Sequence, residues 1–532
     1  MVQKLKGIRF QNMDPEKVIF YLFLLAMALY YGWRLFVLTP WYDELYTYYY
    51  FISRGSVYAA IHWPLPNNHV GYSVLSGFLD LFGNSAVGLR GISYLSSLLS
   101  LWLLYWIGRN CFPKGVALMP PCLFASMELV NQMAAQGRGY ALITCLYLTA
   151  LCCLVKIVIY KEKKIRYYLV FGVSLIWSLY TVASSVYFVL PLCAAGGIAL
   201  LYEKRFRDFW KLVGISFCSA ICTAGLYGII WLAIGSNLLS KTDGSDYFGL
   251  GHVQIILHAP FAAARAGIGY MLGMPYIQSV ERQGYLSALG NYIRTLFNYY
   301  YNGFAYILIG AAGIVLIAII CRLILRNAMF MEWYLLISFL MTPLMLIIQS
   351  ALPYYRVFSY FGAAVALMCT WLVSKCIQLI HMQPEHREHG LFKILSVITV
   401  LITVKALFLP LSGVPYSARE TAIEEAYLAI DMSRYEKIAV ADCDQEYLLK
   451  YMYGLDMEDD SNVRLTPSIE DADCVLLDRD LLLPEGQYTT GNSAGEEWKF
   501  YVTRDNLPVT YLEENMQAVY ENDRFVFYVR KY

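Results

Sequence analysis

The run VIFYLFLLAMALYYGWRLFVL, residues 18–38, followed at once by Thr39-Pro40-Trp41-Tyr42-Asp43-Glu44, decides what kind of protein this is. A helix that crosses a bilayer needs about 20 consecutive apolar residues. This run supplies them, and a carboxylate pair stands just beyond its end. Lys4, Lys6 and Arg9 precede it and no small-residue cleavage site follows, so it reads as a retained anchor and not a removed signal peptide. The composition agrees. Of 532 residues, 58% are hydrophobic and 15% charged, against roughly 25% charged in ordinary soluble domains. That excludes a soluble globular protein and a disordered chain. A formal net charge of +1 offers no electrostatic footprint for a phosphate backbone, so no nucleic-acid partner is expected. The 46 tyrosines suit membrane interfaces, where the ring sits in hydrocarbon and the hydroxyl stays wet.

Further apolar runs lie near 88–108, 116–134, 139–159, 166–183, 185–202, 211–234, 303–321, 332–350, 357–379 and 391–409, which predicts a polytopic α-helical membrane protein with about 11 transmembrane helices. The basic residues test that count. With residues 1–17 cytoplasmic, Arg109 and Lys114, then Lys156, Lys161, Lys163, Lys164 and Arg166, then Lys204, Arg205, Arg207 and Lys211, then Arg322 and Arg326, then Lys375, Arg387 and Lys393 all fall on one side, as the positive-inside rule requires. The apolar segment 71–82 is too short to span and suits an interfacial helix. It lies in a first outer loop, 39–87. A second outer loop, 235–302, carries His252, His258, Arg265, Arg282 and Arg294. After the membrane domain, 18–409, the composition turns polar. Strand-like runs at 437–441, 474–477, 498–503 and 524–529, with a helical pattern at 445–453, predict a small α/β domain over 410–532 on the outer face. Most of the 13 cysteines sit in apolar runs, where Cys acts as a small hydrophobe. Only Cys443 and Cys474 lie in a polar region, where one bridge between them is open. No CxxC pair has zinc spacing.

Four features carry chemistry. Asp43 and Glu44, next to aromatic residues just outside a span, read either as a solvated helix cap or as a carboxylate set to take a proton or hold a divalent cation. Asn68-His69-Val70-Gly71-Tyr72 in the same loop supplies substrate-loop candidates, with His69 joining Asp43 and Glu44 in any metal site. Arg138, in Gln136-Gly137-Arg138-Gly139-Tyr140, and Arg356, in Pro353-Tyr354-Tyr355-Arg356-Val357, interrupt apolar sequence on the outer side. They either snorkel to headgroups or hold an anionic group, and the guanidinium fork suits phosphate. Finally, Asp442-Cys443-Asp444 has the form of a metal-nucleotide motif, but on an outer domain a solvated turn at a strand end is the better reading.

The order Trp41-Tyr42-Asp43-Glu44, Asn68-His69, Gly88-Leu89-Arg90-Gly91-Ile92-Ser93 entering span two, and Arg138-Gly139-Tyr140 opening span four resembles bacterial glycosyltransferase family 39. That family is related to the protein O-mannosyltransferases and the lipid A aminoarabinose transferases of the GT-C superfamily. The resemblance covers roughly 15–410. It implies a GT-C-like fold and transfer of a sugar from a polyprenyl-phosphate donor to an outer-face acceptor (lipid, glycan or protein), in a plasma-membrane protein. It implies Asp43 as catalytic base with Glu44 beside it, Arg138 and Arg356 on the donor phosphate, and Arg90 with His69, Asn68 and Tyr72 around the substrate. The sequence departs from the family's His-Pro-Pro-Leu-Tyr at Val70-Gly71-Tyr72. Direct displacement at the anomeric carbon, with a base on one side and stabilised charge on the other, inverts configuration. The competing readings are a transporter or flippase of lipid-linked saccharides, a non-catalytic glycan-assembly protein, and a ligase of whole glycan chains. No internal repeat supports the transporter.

Overall fold

The computed structural model describes residues 14–61, 68–113, 115–234, 257, 276–279, 284–380, 418–454, 465–482 and 500–531. The chain opens with α1 (Pro15–Val37), started by Asp14 as N-cap and Pro15 in the first turn. A short α2 (Tyr42–Thr47) runs into one π-helical turn, Tyr48–Ile52. Then come α3 (Ser56–Ile61), α4 (Val70–Asp80), α5 (Ser85–Cys111), α6 (Met119–Ala125), α7 (Glu128–Ala135), α8 (Tyr140–Val158), α9 (Ile165–Thr181), α10 (Val186–Tyr202) and α11 (Phe206–Ile234). Beyond them lie α12 (Tyr285–Tyr300), α13 (Ala305–Ile324), α14 (Phe330–Gln349) and α15 (Phe361–Ile380).

Among the described residues, eight helices are long and apolar enough to cross a membrane: α1, α5, α8, α10 together with the 3₁₀ turn Ala183–Ser185 that leads into it, α11, α13, α14 and α15. The count of 11 is not reached. At 17 residues, α9 is just short, and 391–409 lies outside the described residues. Outer helices expose large side chains, such as Leu22, Leu25 and Leu29 on α1 and Ile314, Ile317 and Ile324 on α13. A soluble protein would bury such faces; a bilayer solvates them. α8 is buried at the centre.

The expected span 116–134 is broken. Pro120 and Pro121 open α6, and the chain bends at Ser126-Met127 before α7. The carbonyls freed by the bend are satisfied locally: Asn131 Nδ2 donates to Ala125 O at 2.5 Å and Ser126 Oγ to Leu123 O at 2.8 Å, as an apolar setting demands. Ala117 and Leu118 pack with Phe20 near the start of α1, while Gly137 N reaches Glu44 just past its end. The two short helices therefore lie alongside α1, and neither is long enough by itself to cross a membrane.

The C-terminal part forms a five-stranded sheet in the order β4-β3-β5-β7-β6, built from β3 (Ile438–Ala439), β4 (Leu465–Thr466), β5 (Cys474–Asp478), β6 (Met516–Glu521) and β7 (Phe525–Arg530). β3 is parallel to β4 and β5, and β7 is antiparallel to β5 and β6. Helices α16 (Ala418–Leu428) and α17 (Cys443–Tyr453) belong to it. In place of the expected strand at 498–503, Phe500 makes a single bridge to Asp442. Residues 498–499 lie outside the described ones. Cys443 and Cys474 are both buried and free, so the bridge does not form. A small separate ladder, β1 (Tyr276–Ser279) with β2 (Ala351–Pro353), lies before Arg356.

Candidate functional site

Adjacent residues on a helix point about 100° apart, and α2 uses this to send its two carboxylates to different places. Glu44 turns inward and is buried, with only 1% of its surface exposed. It takes Arg90 in a bidentate pair, Nε to Oε1 at 2.7 Å and Nη2 to Oε2 at 3.0 Å. Gly137 N donates to Oε1 at 2.5 Å and Trp41 N to Oε2 at 3.1 Å. Arg90 spends its remaining donors on Leu35 O (3.1 Å), Leu38 O (2.6 Å) and Thr39 O (3.3 Å). Those are carbonyls at the end of α1 that the helix cannot satisfy itself. All five guanidinium donors are used. This knot fixes α1, α2, α5 and the loop before α8 to one another. Glu44 and Arg90, expected as catalytic partner and substrate contact, are framework.

Asp43 faces the other way and is part exposed, at 18% of its side chain. Arg356 Nη2 meets its Oδ2 at 3.1 Å. The Arg356 guanidinium lies over the rings of Trp41 and Tyr354, with centroids at 4.9 and 4.8 Å, and its Nε donates to Tyr140 Oη at 3.1 Å. Cation–π contacts of this kind hold a guanidinium in place without neutralising it. The backbone around Arg356 is tied by α12: Tyr292 Oη donates to Pro353 O and Tyr300 Oη to Phe358 O, both at 2.6 Å.

Arg138 is buried. Its Nη1 donates to Thr47 Oγ1 at 2.6 Å and to Asp43 O at 3.3 Å, and its Nη2 lies 3.3 Å from His69 Nε2. The glycines beside it are needed for this approach. A Cβ on Gly137 would stand 2.9 Å from Leu89 O, and one on Gly139 would stand 2.6 Å from Thr181 Cγ2 and 3.1 Å from His69 Nδ1. So both arginines converge on Asp43, one at its carboxylate and one at its carbonyl, although 218 residues separate them in the chain. Neither snorkels outward.

His69 accepts the Gly139 N–H at Nδ1, 2.9 Å, which leaves the proton on Nε2. Burial, with Arg138 and Arg356 close, pushes the imidazole well below its usual range, so it is neutral and a donor. Asn68 spans Ala59 O and Ser73 Oγ, and Tyr72 is fully buried with its hydroxyl on Leu89 O. Both hold the loop and offer no surface to a substrate. A metal site made of Asp43, Glu44 and His69 does not fit these residues. Glu44 is saturated by four donors, His69 Nδ1 is taken by a backbone N–H, and among the described residues no three His, Cys, Asp or Glu side chains gather to hold a metal ion.

The Asp442-Cys443-Asp444 motif is not a solvated turn. Asp442 N-caps α17 through Gln445 N at 2.9 Å, and Arg419 bonds Asp442 and Asp444 at 2.6 Å each. His252, His258, Arg265 and Arg282 lie outside the described residues. The sequence reading missed Trp41, Thr47, Tyr140 and Tyr354 as companions of the arginines. Trp41, Tyr140 and Tyr354 all stand inside the quoted motifs, so a guanidinium paired with aromatic neighbours was the available signal.

A model of the family described as dolichyl-phosphate-mannose-protein mannosyltransferase matches residues 69–231. Among solved structures, the archaeal oligosaccharyltransferase AglB from Archaeoglobus fulgidus, in complex with an inhibitory peptide and a dolichol-phosphate, is 13% identical, with a TM-score of 0.48 over 82% of this chain. The chain spans 63% of that protein's length. The Archaeoglobus fulgidus oligosaccharyltransferase tethered to an acceptor peptide containing the NVT sequon is 12% identical, with a TM-score of 0.45, and 86% of this chain and 69% of that one are covered. No curated protein matches the chain.

Proposed function

We infer that this chain, a glycosyltransferase of the GT-C superfamily, moves a sugar from a polyprenyl-phosphate donor to an acceptor on the outer face of the membrane. The observation that carries this reading is the meeting of one part-exposed carboxylate, Asp43, with two guanidinium groups from distant parts of the chain. A polyprenyl phosphate is a two-part ligand, a tail that wants hydrocarbon and a phosphate that wants cations at its edge. Arg356 uses two of its five donors on Asp43 and Tyr140, so its fork reaches a phosphate while still oriented by both.

The placement supports the following reaction. Asp43 takes the proton of the acceptor hydroxyl as its oxygen attacks the anomeric carbon. The bond from that carbon to the phosphate oxygen breaks, and the leaving phosphate carries its charge to Arg356 and Arg138. One displacement inverts the anomeric centre. The neutral His69 Nε2–H adds a donor beside Arg138. Membranes holding the protein, supplied with radiolabelled polyprenyl-phosphate sugar, are expected to pass label to an outer-surface acceptor. Label that stays lipid-linked in every acceptor mixture contradicts the reading.

Arg356 gives the cleaner test of the phosphate grip, because Arg138 also ties Thr47 and the Asp43 backbone. Arg356→Ala is expected to raise donor KM by about tenfold to a hundredfold, since each charge-assisted contact is worth about 1.5–3 kcal/mol. Acceptor KM should move little. Arg356→Lys recovers only part, as a point charge replaces the fork. Equal effects on both substrates would argue against a donor-phosphate contact.

The orientation rests on charge. Arg90 and Arg138 stand near the site ends of α5 and α8, and Arg109 and Lys156 at their other ends. The positive-inside rule makes the latter ends cytoplasmic, which supports an outer site. In a cysteine-free background, a cysteine at Lys163 should resist a membrane-impermeant thiol reagent in intact cells, and one at Lys531 should react. Labelling at Lys163 from outside would overturn the orientation.

A further inference from the structure

The C-terminal sheet domain reaches the site through α16. Glu420 and Glu424 are one turn apart and so share a face of that helix. This face lies against the turn between α1 and α2. Glu420 Oε1 accepts the backbone N–H of Tyr42 at 3.0 Å. Glu424 accepts the Thr39 hydroxyl, and Thr421 Oγ1 reaches the same hydroxyl at 3.4 Å. Glu420 is 3% exposed. An aromatic seam continues the contact: Tyr42 stacks on Tyr447 with centroids 5.9 Å apart, Tyr48 meets Tyr451 edge-on at 5.8 Å, and Tyr50 Oη lies 3.2 Å from Tyr447 Oη.

The Tyr42 N–H is one of the first amides of α2, which have no partner within the helix, and it is one residue from Asp43. Asp43 sits in the first turn of α2, so its aim depends on what grips that turn. Glu44 grips from the membrane domain and Glu420 from the C-terminal domain. We propose that Glu420 is a positioning residue for Asp43, so that the docked C-terminal domain completes the catalytic loop. The proposal rests on the reading of Asp43 as the base. It acts through one hydrogen-bond acceptor at a fixed reach, not through a charge. Burial and the neighbouring Asp444 push the Glu420 carboxyl up to about 7, which fits a group whose acceptor oxygen matters more than its ionisation.

The test separates reach from charge. Glu420→Gln keeps the oxygen in place and drops the charge. Glu420→Asp keeps the charge and withdraws the oxygen by about one carbon–carbon bond, roughly 1.5 Å. On purified, monodisperse protein, Glu420→Gln is expected to hold kcat within about threefold of the parent, and Glu420→Asp to lower it about tenfold to a hundredfold, the scale of a misplaced catalytic group. Donor KM should stay within about threefold in both, because Arg138 and Arg356 are untouched. If the two variants keep parental kcat per folded molecule, or if Gln falls as far as Asp, the proposal is overturned. Should Glu420→Asp fail to fold, Glu420→Met removes the acceptor at similar bulk, and parental kcat per folded molecule there overturns it equally. Failure of the underlying reading looks different: Asp43→Asn would then retain turnover whatever Glu420 does.

Discussion

Asp43→Asn is expected to lower kcat by at least about a hundredfold, within the roughly 10²–10⁴-fold that general-base catalysis supplies, while the protein still inserts and folds. Amide and carboxylate have nearly the same shape, so the substitution removes proton acceptance and little else. Its fold cost is small because the Asp43 carboxylate is part exposed and its pair with Arg356 is not sealed from water. Arg356 keeps Tyr140, Trp41 and Tyr354, so donor KM should change only a few-fold. Steady-state kinetics with purified variant and parent, on the same lipid-linked donor, make the comparison. A variant with more than about a tenth of parental turnover contradicts the base.

Arg90→Met is expected to fail earlier, at folding. It leaves the Glu44 carboxylate buried with two backbone N–H donors and no cation. Breaking a buried pair from one side costs about 3–5 kcal/mol, a large share of a typical total of about 5–15 kcal/mol. It also strips the donors that satisfy Leu35 O, Leu38 O and Thr39 O. Monodisperse yield and thermal midpoint in detergent should both fall sharply. Glu44→Gln should show the same kind of loss in weaker form, with kcat per folded molecule little changed. The two acids of one dipeptide thus separate, Asp43 by turnover and Glu44 by stability. Normal stability in Arg90→Met would remove the framework role.

The acidic pair was legible because charge beside a bilayer is costly and has few uses. The family resemblance singled out Asp43 as the base, but which acid is sealed in the framework and which stays part exposed was not legible from the residues themselves. That depends on Arg90, 46 residues on, and a sequence does not say which way α2 turns. The two arginines were picked out as cations at outer span ends, but their meeting depends on how α12 and its tyrosines seat the turn before α15. Those tyrosines also correct the interfacial expectation for the residue type. Tyr285, Tyr292 and Tyr300 are buried and use their hydroxyls on backbone carbonyls, a role composition cannot distinguish from a wet interface. The bend at Ser126-Met127 was hidden because its polar repair, Asn131, sits in an otherwise apolar run. The C-terminal domain was legible from its alternating strands. Its grip on the Tyr42 amide was not, since that bond joins two residues 378 apart.

The most direct test follows the bond between sugar and phosphate. Purified protein in liposomes is given polyprenyl-phosphate sugar, labelled in both sugar and phosphate, with a panel of envelope-type acceptors, and the products are separated by mass and their anomeric configuration read by NMR. One polyprenyl phosphate is expected per glycosylated acceptor, with inverted anomeric configuration, and neither product with Asp43→Asn. Sugar and phosphate that cross the bilayer still joined, at equal rates in parent and Asp43→Asn, would contradict sugar transfer and make the protein a carrier of lipid-linked sugar.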